Sequence, residues 1–424
     1  MIDYDARPVT PQVVLVGNRA SAAGYSIRDF LSRNGIPYEW VDADDDARVG
    51  ALLSETERGV DQLPVCVLPD GARLAPATVE SVAAGLGMLS APSLAEYDLT
   101  IVGAGPAGLA AAVYAASEGL QAVAVEAVAP GGQAGTTSRI ENYLGFPQGI
   151  SGGELATRAT AQARRFGAEI LLARRLADIT RDGAGYVVHL SDGAAVRSRA
   201  MLVASGVEWR RLEVPGIDEL LGSGVYYGAG PSEAVTCSGC RVAIVGGGNS
   251  AGQAVIRFSR YAANVTLLVR GPSLEASMSQ YLISQVKELP NVSVRTGTEV
   301  VGVESDTHLR ALMVSSGGTV ARLPTEALFV CIGGEPRNQG ATKVGLALDG
   351  AGYLRTGADL SSSPGALDGW PLARQPLPLE TNLPGLFVAG DVRSGSIKRC
   401  AAAIGEGSMA VALVHQRLAE VGGE

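Results

Sequence analysis

Residues 99–126 read LTIVGAGPAGLAAAVYAASEGLQAVAVE, and the reading of that stretch decides the fold. A short apolar strand runs into Gly103, Gly105 and Gly108, an Ala-rich helix follows, and a second apolar strand ends at Glu126. In a strand–turn–helix that holds a dinucleotide, the first glycine permits the tight turn and the second lets bare backbone approach the pyrophosphate. The third lets the helix lie close to the strand. The helix start, here Pro106 and Ala107, offers N–H groups and a partial positive charge to the phosphates. Glu126 stands about 20 residues past the turn, where an acid accepts ribose hydroxyls. A glycine-rich helix start without a ligand needs no acid at that spacing.

A second unit spans residues 241–270, RVAIVGGGNSAGQAVIRFSRYAANVTLLVR. Gly246, Gly248 and Ala251 take the three turn positions, with Asn249 and Ser250 between them. No acid closes this unit. Arg270 stands there instead, which suits a 2′-phosphate better than a free 2′-hydroxyl, or is an ordinary solvated strand-end arginine. Two such units imply two dinucleotides, one resident and one diffusible, that exchange electrons.

Composition bounds the rest. A chain of 424 residues calls for two or three domains, and 46% hydrophobic residues, 18% charged residues and 55 glycines suit an Ala/Gly-rich α/β protein. The net charge of -9 and the lack of a Lys/Arg cluster argue against nucleic acid or anionic membranes as partners. The acidic opening MIDYDARPVT carries no apolar core, so no secretory signal is expected, and IVGAGPAGLAAAVYAA is too short and Gly-rich for a membrane span. Five scattered cysteines make no extracellular disulfide framework. His189, His308 and His415 lie too far apart for metal-ligand spacing, and no metal is expected. The expectation is a soluble, cytoplasmic protein.

Residues 380–418, ETNLPGLFVAGDVRSGSIKRCAAAIGEGSMAVALVHQRL, read as a turn, a buried strand, a loop and a long helix from about Arg399. Asp391, directly after Gly390, can bond a polyol hydroxyl or cap a helix. The helix start at Arg399, Cys400 and Ala401 can stabilise negative charge on a flavin ring.

With these motifs in order, the chain from about residue 97 onward resembles the thioredoxin reductase family of FAD flavoproteins. GAGPAGLAAAVYAA resembles its FAD fingerprint, and GGQAGTTSRIENYLGFP (131–147) resembles its flavin-contacting loop, in which Gly132, Gln133 and Asn142 match flavin-binding positions. VASG (203–206), ending at Gly206, resembles the close of the first FAD segment, GGGNSA the NADPH turn, and LFVAGD with KRCAAAIGEGSMA the final FAD segment. The resemblance implies an α/β fold with two interleaved Rossmann-like domains. An FAD domain would span 98–212 and 328–424, with an NAD(P) domain at 213–327. It further implies FAD and NADPH (or NADH) as cofactors, and a homodimer whose inserted domain rotates to present nicotinamide or cysteines to the flavin.

The departures from that family bear on function. Its redox cysteines belong where this chain has Tyr227-Gly228-Ala229-Gly230-Pro231. The GAGP there copies residues 103–106, yet too little chain precedes Gly246 for a third unit of ~30 residues, so a turn is expected. The CSGC at 237–240 directly precedes strand RVAIV, at the end opposite the dinucleotide turn, so Cys237 and Cys240 read as bystanders rather than a redox pair. Cys400 lacks a resolving partner. Gly271 and Glu275 replace basic residues that the family often carries, so only a modest preference for NADPH is expected.

Residues 1–90 resemble a glutaredoxin- or thioredoxin-like domain, with Pro64 at the cis-proline position but no cysteines at NRASAAGYS, where the active pair would stand. Cys66, in an apolar strand, reads as packing. Residues 91–97 form a linker. The resulting expectation is a FAD-dependent NAD(P)H oxidoreductase acting on a small molecule or electron carrier other than thioredoxin. Glu233 is a candidate proton donor near the flavin or a solvated helix-start residue. The alternatives are a thiol-disulfide reductase using Cys237 and Cys240, and a flavin-bearing sensor or scaffold without turnover.

Overall fold

The structure, a computed structural model, describes residues 12–422 except 19–20, 138–139, 141, 228–233, 235 and 363–364. The chain divides into two units, Met1–Met88 with Arg211–Ile332, and Leu89–Arg210 with Gly333–Glu424.

The second unit is built on parallel strands in the order Glu169–Leu171, Ala122–Val125, Tyr97–Val102, Ala195–Val203 and Leu386–Val388. Each of the two first strands of the 99–126 motif is buried on both faces, which is why their apolar runs show no alternation. Antiparallel strands Leu176–Asp182 and Gly185–Leu190 join the first half of Ala195–Val203. Helix Pro106–Ser117 is Ala-rich because it is squeezed between the sheet and the terminal helix Cys400–Gly422. A Cβ on Gly407 would stand 2.1 Å from the Ala107 carbonyl oxygen, so only glycine lets those helices touch backbone to backbone.

In the first unit, strands Val292–Arg295, Asn264–Leu268, Arg241–Val245, Ala327–Val330 and Val225–Tyr227 form a parallel sheet. A meander of Thr298–Ser305, Leu309–Ser316 and Thr319–Pro324 lies in the chain between strands Val292–Arg295 and Ala327–Val330. This is the architecture of the other unit repeated. The inserted segment extends beyond the expected limit of 327, because the fully buried strand Ala327–Val330 bonds to both Arg241–Val245 and Val225–Tyr227. The crossings fall after residues 210 and 332 instead of 212 and 327.

The N-terminal residues form a four-stranded sheet in the order Tyr38–Asp42, Val13–Gly17, Val65–Val67, Arg73–Leu74, with the first pair parallel and the others antiparallel. Helices Ala22–Arg33, Asp46–Leu52 and Val79–Gly85 accompany it, and the Leu63–Pro64 peptide is cis. Trp40 crosses the end of the first strand, 3.1 Å from where a Cβ on Gly17 would stand, and Arg28 lies over its ring at 4.6 Å. These residues share one unit with Arg211–Ile332, and Tyr25 brings its ring centroid to 6.4 Å from that of Tyr226. Residues 91–97 are tied to the second unit: Ser93 Oγ donates to Glu169 at 2.6 Å, and the first strand begins at Tyr97.

Candidate dinucleotide sites

Gly103 has φ +101°, and a Cβ there would meet the Ala204 carbonyl oxygen at 2.5 Å. A Cβ on Gly108 would sit 1.8 Å from the Gly103 oxygen, which is the close helix–strand approach the spacing anticipates. Gly105 is different. It is the N-cap of helix Pro106–Ser117 with no side-chain cap, and its nearest neighbour in the Cβ direction is Gly132 Cα at 3.8 Å. Room and uncapped first-turn N–H groups therefore meet at one point, which suits a pyrophosphate.

Glu126 is 7% exposed, and its two carboxylate oxygens accept the Ala104 N–H at 2.7 Å and the Val128 N–H at 2.9 Å. That fixes the carboxylate while leaving acceptor capacity for ribose hydroxyls. The 131–133 loop is clamped on the turn. Gly131 N–H donates to the Ala104 oxygen at 2.7 Å, and Gln133 Nε2 donates to the Val207 oxygen at 2.6 Å. Asn142 is exposed, and Gly206 (φ +69°) accepts the Arg337 N–H at 2.9 Å.

At the C-terminal segment, Gly390 has φ +76° and donates its N–H to Glu406 at 2.7 Å, and Glu406 pairs with Arg393 at 2.6 Å. Burial raises the Asp391 carboxyl, Lys398 opposes that shift, and Glu406 adds to it. Lys398 Nζ donates to the Asp391 carbonyl and lies 4.3 Å from the Tyr353 ring centroid. Arg399 and Ala401 are exposed, and helix Cys400–Gly422 begins beside them. Burial, and then Asp391, push the Cys400 thiol up to about 11, so at neutral pH it is a thiol and not a thiolate. Sequence reasoning missed Glu406. The available signal was its position as the single charged residue between Arg399 and His415.

The second turn repeats the first. Gly246 has φ +144° with its Cβ direction 2.3 Å from the Cys331 carbonyl oxygen, and Gly248 caps helix Asn249–Phe258 without a side-chain bond. Ala251 is fully buried and Ser250 exposed. Asn249 Oδ1 accepts the Ser279 N–H at 2.7 Å and its hydroxyl at 3.0 Å, so this side chain braces the loop. Arg270 is exposed. The Glu275 carboxylate is held below its ordinary value by its own backbone N–H first and Ser273 next. It pairs with Lys287 at 3.8 Å, so the repulsion expected from it is offset.

Cys237 is 6% exposed inside the hydrophobic cluster of the inserted domain, and Cys240 directly precedes strand Arg241–Val245. Burial raises the Cys240 thiol, Glu326 adds to this, and Arg241 opposes it. Burial likewise pushes Cys66 up to about 11 and Cys331 up to about 12. Among the described residues no disulfide forms, no group of three or more His, Cys, Asp or Glu is placed to hold a metal, and no helix is long and apolar enough to cross a membrane. Glu233 and the GAGP stretch lie outside the described residues.

Two glycine turns, each opening an uncapped helix after a parallel strand, mark an α/β protein with two dinucleotide-type units. The pyridine nucleotide-disulphide oxidoreductase family matches residues 97–407, and the chain belongs to that family. It is 31% identical over 332 residues to a thioredoxin reductase of Bacillus subtilis, covering 77% of this chain and 96% of that protein. It is 33% identical over 335 residues to one of Streptomyces coelicolor, covering 77% and 95%. Among solved structures, T. acidophilum thioredoxin reductase aligns with TM-score 0.67 and 26% identity over 76% of this chain and 98% of that one. A bacillithiol disulfide reductase of Bacillus cereus aligns with TM-score 0.62 at 18% identity, over 76% and 99%, a likeness of fold alone. FAD and NADPH are the cofactors of the thioredoxin reductase-like enzymes, and the two turns fit them.

Proposed function

We propose that this protein passes electrons from NAD(P)H by way of FAD to a small molecule or an electron carrier, and not to the disulfide of thioredoxin. FAD, when bound, supplies the coupling between a two-electron nicotinamide donor and the acceptor. The chain's own residues do the holding. Gly105 and the helix start receive the pyrophosphate, Glu126 the ribose, Asp391 the polyol, and the 131–133 loop with Asn142 the flavin face; Gly248 and Arg270 serve the nicotinamide dinucleotide.

The placement of Cys237 carries the reading. It is packed in a hydrophobic core before the amino end of Arg241–Val245, whereas dinucleotides bind at the carboxyl end of such strands, about 16 Å away for five residues. The partner thiol, Cys240, has its pKa raised, which disfavours the thiolate that disulfide exchange needs. The relatives' names, thioredoxin reductases, favour the second reading, a disulfide reductase, in which this pair would supply the thiols.

Anaerobic reduction by NADPH or NADH, followed by reoxidation with quinones, one-electron carriers, oxygen or thioredoxin, tests the proposal. Cys237→Ser/Cys240→Ser should leave FAD content and turnover within about twofold of wild type, and thioredoxin should support negligible turnover in both. Loss of turnover in the double variant with FAD retained would establish the pair as catalytic. A protein reduced by no nicotinamide and reoxidised by no acceptor would be a flavin-bearing sensor. The working form proposed is a cytoplasmic homodimer, which sedimentation at working concentration checks.

A further inference from the structure

Arg295 ends the strand Val292–Arg295, and its Cα is the register partner of Leu268 in the adjacent parallel strand Asn264–Leu268. Pairing continues past both strand ends. Val269 N–H donates to the Arg295 oxygen at 2.9 Å, and Gly297 N–H donates to the Gly271 oxygen at 2.9 Å. Arg270 and Arg295 therefore leave the carboxyl edge of neighbouring strands spaced about 4.8 Å apart. Both arginines are exposed, and among the described residues neither guanidinium makes a hydrogen bond or ion pair. The nearest acid in the loop, Glu275, is engaged with Lys287 at 3.8 Å.

Arg270 stands two residues beyond Leu268, the register partner of Arg295, so the two Cα atoms lie on a diagonal of roughly 8 Å, a span that two long arginine side chains can close on one anion between them. The edge they occupy is the one where the second strand of a dinucleotide fold meets the adenosine ribose, which an arginine serves when the ribose carries a 2′-phosphate. Arginine's planar fork donates two parallel hydrogen bonds to phosphate oxygens, so two arginines can hold one phosphate from two sides. We propose that Arg295 is the second arm of a two-arginine clamp on the 2′-phosphate of the diffusible nucleotide, with Arg270 as the first. The clamp replaces the basic residues that Gly271 and Glu275 displace, and it makes the preference for NADPH strong where a lone Arg270 would make it modest. This rests on the reading of the second turn as the nicotinamide dinucleotide site.

Calorimetric titration of the FAD-loaded protein with 2′,5′-ADP and with 5′-AMP tests both layers without turnover. Wild type should bind 2′,5′-ADP about 100-fold more tightly than 5′-AMP, and Arg295→Ala should lose roughly tenfold of that advantage while leaving 5′-AMP affinity unchanged. Arg295→Lys should recover part of the loss, and raising the salt concentration should shrink the difference between wild type and Arg295→Ala. Wild-type affinity for 2′,5′-ADP in Arg295→Ala, with the loss confined to Arg270→Ala, would overturn the second arm and leave the site reading intact. Equal weakening of both probes by Arg295→Ala would make it a residue of the nucleotide's adenine or of the fold, and also overturn the clamp. No discrimination between the probes by wild type would overturn the 2′-phosphate reading itself.

Discussion

Gly103→Ala should yield poorly folded protein depleted of flavin. The glycine holds φ +101°, a region L side chains rarely adopt, and the added Cβ would lie 2.5 Å from the carbonyl oxygen of Ala204. That oxygen belongs to backbone at the end of the buried strand Ala195–Val203, so it cannot turn aside as a side chain could. Left-handed strain of about 1–2 kcal/mol adds to a backbone clash at the centre of the sheet. The visible absorbance of flavin relative to protein, and flavin released on denaturation, give the readout. Gly105→Ala is the control, because its Cβ would meet only Gly132 Cα at 3.8 Å. It should fold with a melting temperature near that of wild type yet bind FAD weakly, since the methyl enters the space meant for phosphate. Stoichiometric flavin in Gly103→Ala would remove this turn from the site.

Arg374→Ala should destabilise the FAD domain by about 3–5 kcal/mol, the range for stripping the partner from a buried charge. Glu380 is 0% exposed and accepts from Arg374 Nη1 at 2.6 Å, the Gly385 N–H at 2.8 Å and the Leu377 N–H at 2.9 Å. The same guanidinium reaches Glu420 on the terminal helix at 2.7 Å, where Arg417 joins at 3.2 Å. Truncation leaves the Glu380 carboxylate without its cation and releases the helix that packs on Pro106–Ser117. Urea unfolding followed by flavin fluorescence measures the loss, and a change below about 1 kcal/mol would contradict the account. The pH dependence has a definite sign. Arg374 foremost holds the Glu420 carboxyl below its ordinary value, so that stabilisation is complete above the unfolded carboxylate range. It fades as pH falls through the depressed value, and Arg374→Ala should flatten that acid limb.

The glycine turns were legible because their chemistry is local: Gly103, Gly105 and Gly108 serve a turn, a ligand and a helix contact within six residues, and Glu126 lies one strand away. The position of Asp391 just past a buried strand was legible for the same reason. The nearness of Arg295 to Arg270 was not, because a helix separates their strands in sequence and the two come side by side only when the sheet pairs. Glu406 and the Arg374–Glu380–Glu420 network escaped for a like cause, since burial and partners separated in sequence define them.

The sequence by itself determined that two glycine-rich strand–turn–helix units exist and that no cysteine stands at residues 227–231. Periodicity, turn chemistry and residue identity act over short spans, so no tertiary contact was needed to read them. Only the tertiary structure decided that strand Ala327–Val330 completes the inserted sheet, that Cys237 is sealed in a core, and that Lys287 takes up Glu275. Register, burial and the pairing of distant charges arise when separate strands close on one another, and a linear chain does not state which of its apolar runs will be neighbours.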